Sequence, residues 1–124
     1  MNKVCVFRGN DHVDHKYLVS ANCFFFPPVP LGDLCNLNLA ARPGRIEVSD
    51  GLAVLHSHDG LTLAFVVSGY GILKTQDEEF SIQAGDILVI PAHALHVSIA
   101  APNTVLIEHS IFIGNPHSFD AKEV

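Results

Sequence analysis

The apolar runs of this chain are short, rich in Val, Ile, Leu and Phe, and cut by turn residues; helical periodicity is hard to find. A few apolar residues between turns suffice for a strand but not for an amphipathic helix, so the pattern predicts an all-β fold. Strands are expected at Val4–Phe7, Tyr17–Phe26, Leu34–Ala40, Ala53–His58, Leu63–Val67, Gly71–Thr75, Glu79–Ile82, Ile87–Ile90, His96–Ala100 and Thr104–Ile113. Each break has a mechanism. "QDEE" (Gln76–Glu79) is a polar hairpin tip, and "AGD" (Ala84–Asp86) supplies a glycine able to take positive φ. "PAHA" (Pro91–Ala94) ends a strand because proline cannot donate to a central ladder, and "FPPVPLGD" (Phe26–Asp33) reads as a rigid loop. About ten short strands at this spacing imply a sandwich or barrel.

A chain of 124 residues accommodates one domain, residues 1–124, with "NPHSFDAKEV" (Asn115–Val124) as a polar tail. Hydrophobic residues are 48% of the chain and charged residues 16%, which excludes a disordered polyelectrolyte. The net charge of −6 gives no electrostatic footprint for nucleic acid or an anionic membrane surface. The N-terminal "MNKVCVFRGNDHVDHK" lacks the apolar core of a signal peptide, and no run approaches the ~20 apolar residues of a membrane helix. The three cysteines, Cys5, Cys23 and Cys35, form no CxxC pair and read as reduced, space-filling thiols. A cytoplasmic protein is expected. "ILVI" (Ile87–Ile90) is apolar on both strand faces, so one face needs a second layer or a partner subunit, and a homodimer is expected.

The chemistry lies in the histidines. In a strand, residues i and i+2 share a face, so His56 and His58 of "LHSHDG" project together. His96 follows a Gly-Asp turn and a proline and can return beside the pair in an antiparallel fold. Three neutral imidazoles suit Fe, Mn, Ni, Cu or Zn and leave coordination positions open. A strand that merely carries two histidines is the competing reading. His93, in the turn after Pro91, is a candidate substrate contact, a further ligand or a solvated loop residue. Glu108 and His109 alternate on one strand, so only one of them faces inward; an inward His109 would be a candidate acid or base. Thr62 and Tyr70 are candidate substrate contacts. His12, His15 and His117 lie in polar terminal segments and read as solvated.

Two segments together resemble the cupin superfamily. Its first motif runs Gly, a few residues, His-x-His, three or four residues, Glu, six residues, Gly. "GLAVLHSHDGLTLAFVVSG" (Gly51–Gly69) matches it at His56, His58 and Gly69, with Gly51 one residue nearer the first histidine than usual. The second motif runs Gly, five residues, Pro, x, Gly, two residues, His, three residues, Asn. "GDILVIPAHALHVSIA" (Gly85–Ala100) matches at Gly85, Pro91 and His96. The resemblance implies a small cupin-type jelly-roll β-barrel with a metal held by His56, His58 and His96. It departs from the pattern at the glutamate position, which holds Thr62, at the second glycine, which is His93, and at the asparagine, which is Ala100. The usual site thus loses its only acidic ligand.

Cupin-type dioxygenases of thiols and β-diketones are similar in using three histidines. The resemblance therefore implies one divalent transition metal ion, Fe(II) in the first place, and a dioxygenase-like reaction on a small polar or anionic molecule. Isomerisation or elimination by Lewis acidity is the lesser catalytic option. The same segment is also similar to the ligand-sensing barrel of arabinose-type transcription regulators, which implies a small-molecule sensor without catalysis. Cupins host many functions, so the fold alone does not choose between these.

Overall fold

The computed structural model describes residues 13–18, 21–25, 29–30, 40–49, 54–115 and 122–123, with side chains described for 40–49 and 54–115. Every described regular element is a strand: β1 (Val13–Leu18), β2 (Ala21–Phe25), β3 (Val29–Pro30), β4 (Ala40–Ser49), β5 (His56–Ser57), β6 (Leu61–Ser68), β7 (Tyr70–Thr75), β8 (Glu79–Gln83), β9 (Ile87–Ile90), β10 (His96–Ala100), β11 (Val105–Gly114) and β12 (Lys122–Glu123). One sheet has the order β1-β2-β4-β11-β6-β9, with β3 also pairing β4; the other runs β12-β5-β10-β7-β8. All pairings are antiparallel. The architecture is a two-sheet jelly-roll β-barrel, as the sequence led us to expect.

Alternation builds the interior. On β11, Leu106, Glu108, Ser110 and Phe112 are buried, while Val105 and His109 are exposed. On β6, Thr62, Ala64 and Val66 are buried and face them, because the register pairs Thr62 with Phe112, Ala64 with Ser110 and Val66 with Glu108. Apolar side chains from both sheets close the core, among them Val48, Val66, Leu73, Ile82, Leu88, Leu106 and Phe112. Burying such side chains stabilises by roughly 1.5–3 kcal/mol each. No helix among the described residues is long and apolar enough to cross a membrane.

Turn chemistry fixes the strand ends. Around the β7–β8 hairpin, Thr75 N–H donates to Glu78 O at 2.9 Å and Glu78 N–H donates to Thr75 Oγ1 at 3.0 Å. In the Ala84–Asp86 turn, Gly85 has φ +98° and Gln83 N–H donates to Asp86 Oδ2 at 2.8 Å. Gly69, between β6 and β7, has φ +86°, and a Cβ there would collide with the Val105 carbonyl oxygen. Only glycine meets both conditions.

Several sequence expectations change. Ile87–Ile90 and His96–Ala100 are found with the expected bounds. Tyr17–Phe26 is not one strand, since β1 ends at Leu18 and β2 starts at Ala21. Of the expected strand Ala53–His58, Ala53 lies outside the described residues and the rest is strand only at His56–Ser57. Val4–Phe7 and residues 34–39 lie outside the described residues. The ten-residue β4, "AARPGRIEVS", starts where the expected Leu34–Ala40 strand ends, and no strand is expected over residues 41–49. Its long ladder with β11, in which Pro43 faces Ile111, holds it extended through Pro43 and Gly44. The proline-rich segment read as a loop contributes β3, which pairs at Val29 and Pro30 with Ala41 and Ala40. The segment read as a polar tail contributes β12, which pairs with β5.

Candidate metal centre

His56 lies on β5 and His96 opens β10, and the two are direct partners across the ladder. His58 follows β5 by one residue. One potential ligand nitrogen from each of the three lies within 4.8 Å of the others, and all three residues are buried. Ring centroids are 4.3 Å apart for His56 and His96, 5.0 Å for His56 and His58, and 5.2 Å for His58 and His96. No carboxylate joins this group among the described residues.

Two of the imidazoles are held by backbone carbonyls. Nδ1–H of His56 donates to Val54 O at 3.1 Å, and Nδ1–H of His96 donates to Ala94 O at 2.8 Å. A carbonyl only accepts, so each ring carries its proton on Nδ1 and its lone pair on Nε2, the tautomer that suits a metal ligand. Each carbonyl lies two residues before its histidine, so the anchor is built into the local chain direction. A further bond, His93 N–H to His58 O at 2.7 Å, ties the turn after β9 to the third histidine.

Electrostatics keep His58 and His96 neutral. Burial holds His58 down at about 3, helped by His56 and His96 and opposed by Asp59. Burial, then His56, holds His96 down at about 4, opposed by its bond to Ala94. Nδ1 of His58 is buried without a hydrogen-bond partner. A buried, unsatisfied polar nitrogen costs roughly 1–3 kcal/mol. Three converging neutral imidazoles, one with an unsatisfied nitrogen, fit the donor set of a late first-row divalent ion.

The other candidates separate. Thr62 is buried, faces inward, and its Oγ1 has no hydrogen-bond partner. His109 is on the outer face of β11 and exposed, so an inward acid or base at that position is corrected: alternation sends Glu108 inward instead. Tyr70 is 58% exposed and lines a half-open depression of about 340 Å³ with Gly71, Ser81, Ile82, Gln83 and Asp86. It starts β7, whereas Thr75, at the far end of β7, is the residue beside His96. At ~3.3 Å per residue the two ends are about 16 Å apart, so Tyr70 does not reach the histidines. His93 is exposed, with Nδ1 3.5 Å from Asp59 Oδ1 at the surface, and it is not among the clustered ligands. Its φ is +67°, the left-handed region that favours glycine. His12, His117 and the side chain of His15 lie outside the described residues, as does Gly51.

Sequence reasoning underused Glu108. It is 4% exposed and hydrogen-bonds to the Ser98 side chain across the two sheets. Burial pushes its carboxyl above the usual range, and the Ser98 bond opposes this. The alternation of "VLIEHSIF" contained the signal but not which parity faces the core.

The family model for AraC-like ligand-binding domains matches residues 52–109. No curated protein sequence matches the chain. Among solved structures, it is similar to a cupin-like protein from Thermotoga maritima, with 19% identity and a TM-score of 0.55 over 83% of this chain and 76% of that one. It is similar to KdgF from Halomonas sp., with 18% identity and a TM-score of 0.60 over 87% of this chain and 94% of that one. It is also similar to apo-HppE, with 19% identity and a TM-score of 0.69 over 88% of this chain, which spans 57% of the length of that one. At these identities the likeness is one of fold. The barrel and these neighbours show a cupin-type fold, and the family match covers its central strands, under half of the chain.

Proposed function

We propose that this protein is a metal-dependent cupin that binds one divalent transition ion at His56, His58 and His96 and carries out a dioxygenase-like reaction on a small anionic molecule. The observation that carries the reading is the convergence of three buried imidazoles, two of them set in the ligand tautomer by backbone carbonyls. The ion would supply Lewis acidity and, as Fe(II), the favoured metal, the electrons for dioxygen chemistry; Mn, Ni, Cu and Zn also suit the donors. The protein contributes position and charge. Its ligand set is neutral, so the positive charge of the site is left for an anionic, chelating substrate. Phe112, with its ring 5.2 Å from that of His58, provides an apolar wall beside the cluster. Thr62 offers a hydroxyl to the same interior.

The test is metal content by inductively coupled plasma mass spectrometry, followed by oxygen uptake with chelating acids and thiols. About one ion per chain in the wild type, lost in His58→Ala, is the expected result. Absence of stoichiometric metal, even after reconstitution with Fe(II), Mn(II), Ni(II) or Zn(II), rejects the reading.

A second reading, a small-molecule sensor without catalysis, is supported by the match to AraC-like ligand-binding domains. Ligand binding without oxygen uptake by the metal-loaded protein would favour it. In either case we propose a cytoplasmic homodimer with no nucleic-acid or membrane contact of its own. Exposed Ile87 and Val89 on β9, beside Phe65 on β6, support a subunit contact.

A further inference from the structure

Beyond the histidines, the barrel interior carries a second polar layer. Thr62 is the cross-strand partner of Phe112, whose ring lies against His58. Ser110 follows two residues from Phe112 on the same face of β11, and Glu108 two residues further. From the other sheet, Ser98 stands two residues from His96 on β10 and meets Glu108 by a side-chain hydrogen bond. Thr62, Ser110 and Glu108 are 3%, 2% and 4% exposed. Thr62 Oγ1 and Ser110 Oγ are both buried without a hydrogen-bond partner. Natural interiors rarely leave hydroxyls in this state, and a bound polar group is one of the few explanations.

We infer that Thr62, Ser110 and Glu108 form a subsite that takes the neutral, hydroxyl-bearing end of a small molecule whose anionic end faces the three histidines. This rests on the metal-site reading above and adds the substrate class. The charge pattern decides the class. The buried polar residues comprise the three histidines, Thr62, Ser110 and Glu108, so no lysine or arginine is among the buried described residues. A second carboxylate on the ligand would have no countercharge there and would meet Glu108. A methyl end would leave the hydroxyls unsatisfied. A hydroxyl both donates and accepts, and so can satisfy Thr62, Ser110 and Glu108. One pleat of a strand spans ~7 Å, which matches a ligand of about five carbons.

The experiment uses Co(II)-loaded full-length protein, whose visible bands report both loading and ligand binding. Three acids with one chelating head are titrated: 2-hydroxypentanoate, 2,5-dihydroxypentanoate and 2-hydroxyglutarate, ending in methyl, hydroxyl and carboxylate. The expected result is binding of the hydroxyl-ended acid about tenfold tighter than the methyl-ended one, with the carboxylate-ended acid weakest. Ser110→Ala and, independently, Thr62→Val should each reduce that preference to about threefold or less. Equal affinities in the wild type, or tightest binding of the carboxylate-ended acid, overturn the subsite while leaving the metal site standing. A preference that persists unchanged in both variants does the same. Failure of Co(II) to bind overturns the metal-site reading and the subsite with it.

Discussion

His56 and His96 face each other directly across β5 and β10, with their ring centroids 4.3 Å apart. The first histidine pair therefore meets the third through a β-ladder, not through a loop. The site inherits the rigidity of the sheet, although β5 itself is only two residues long.

The cluster should behave as a unit towards metal. His96→Ala removes one of three donors and the partner of His56 in the ladder. We expect stoichiometric metal to fall to a small fraction of the wild-type value by mass spectrometry. The chain should still fold, because Leu106, Phe112 and the rest of the core are untouched. A His96→Ala protein that keeps a full complement of metal would move the site elsewhere.

β5 has β12 on one side and β10 on the other, with Glu123 opposite His56 and Lys122 opposite Ser57. Ending the chain after Asn115 removes one of these neighbours. A two-residue strand held on one side only will sample more backbone conformations. Metal affinity should weaken by about tenfold, corresponding to ~1.4 kcal/mol. Competition against a chelator reads the affinity, and thermal unfolding of the metal-free protein reads the fold. Unchanged affinity would show that β10 alone positions His56.

The metal-free protein should lose stability as it is acidified. His58 and His96 are held at about 3 and about 4, below their ordinary 6.5. Between these values the unfolded chain binds more protons than the folded one, so stability rises with pH and is lost as pH falls below about 6.5. Near pH 5 the two histidines contribute a slope of roughly 2–3 kcal/mol per pH unit. Glu108 acts in the opposite sense. Its folded carboxyl titrates above its ordinary value, so the folded chain binds the extra proton there and stability falls as pH rises. Glu108→Gln should therefore steepen the acid-side slope and raise stability at neutral pH. Urea unfolding at several pH values with a chelator present measures both. A flat profile in Glu108→Gln would contradict the neutral cluster.

His93 occupies a left-handed backbone position with φ +67° and is largely exposed. A non-glycine residue pays about 1–2 kcal/mol there, part of which glycine returns as unfolded-state entropy. His93→Gly is expected to stabilise by roughly 0.5–1 kcal/mol. The surface contact with Asp59 that it loses is worth little. At Gly69 the sign reverses: Gly69→Ala adds a Cβ at φ +86° against Val105 O and should destabilise by at least ~2 kcal/mol. Chemical denaturation of the two variants checks both directions.

The sequence by itself determined the all-β class, the positions of β6 to β11 to within two residues, and the identity of the three histidines. Those features are local. Turn residues, short apolar runs and the i, i+2 geometry of His56 and His58 are written into neighbouring positions, and the motif spacing adds His96. Other features required the tertiary structure, because they depend on partners distant in the chain. β4 exists despite Pro43 and Gly44 because β11 and β2 pair along it. β12 is a strand because β5 offers it an edge. The inward direction of Glu108, and the outward one of His109, follows from the register of β11 against β6, which no pattern within "VLIEHSIF" fixes. One residue of slip would have exchanged the two and put an imidazole where the barrel holds a carboxyl.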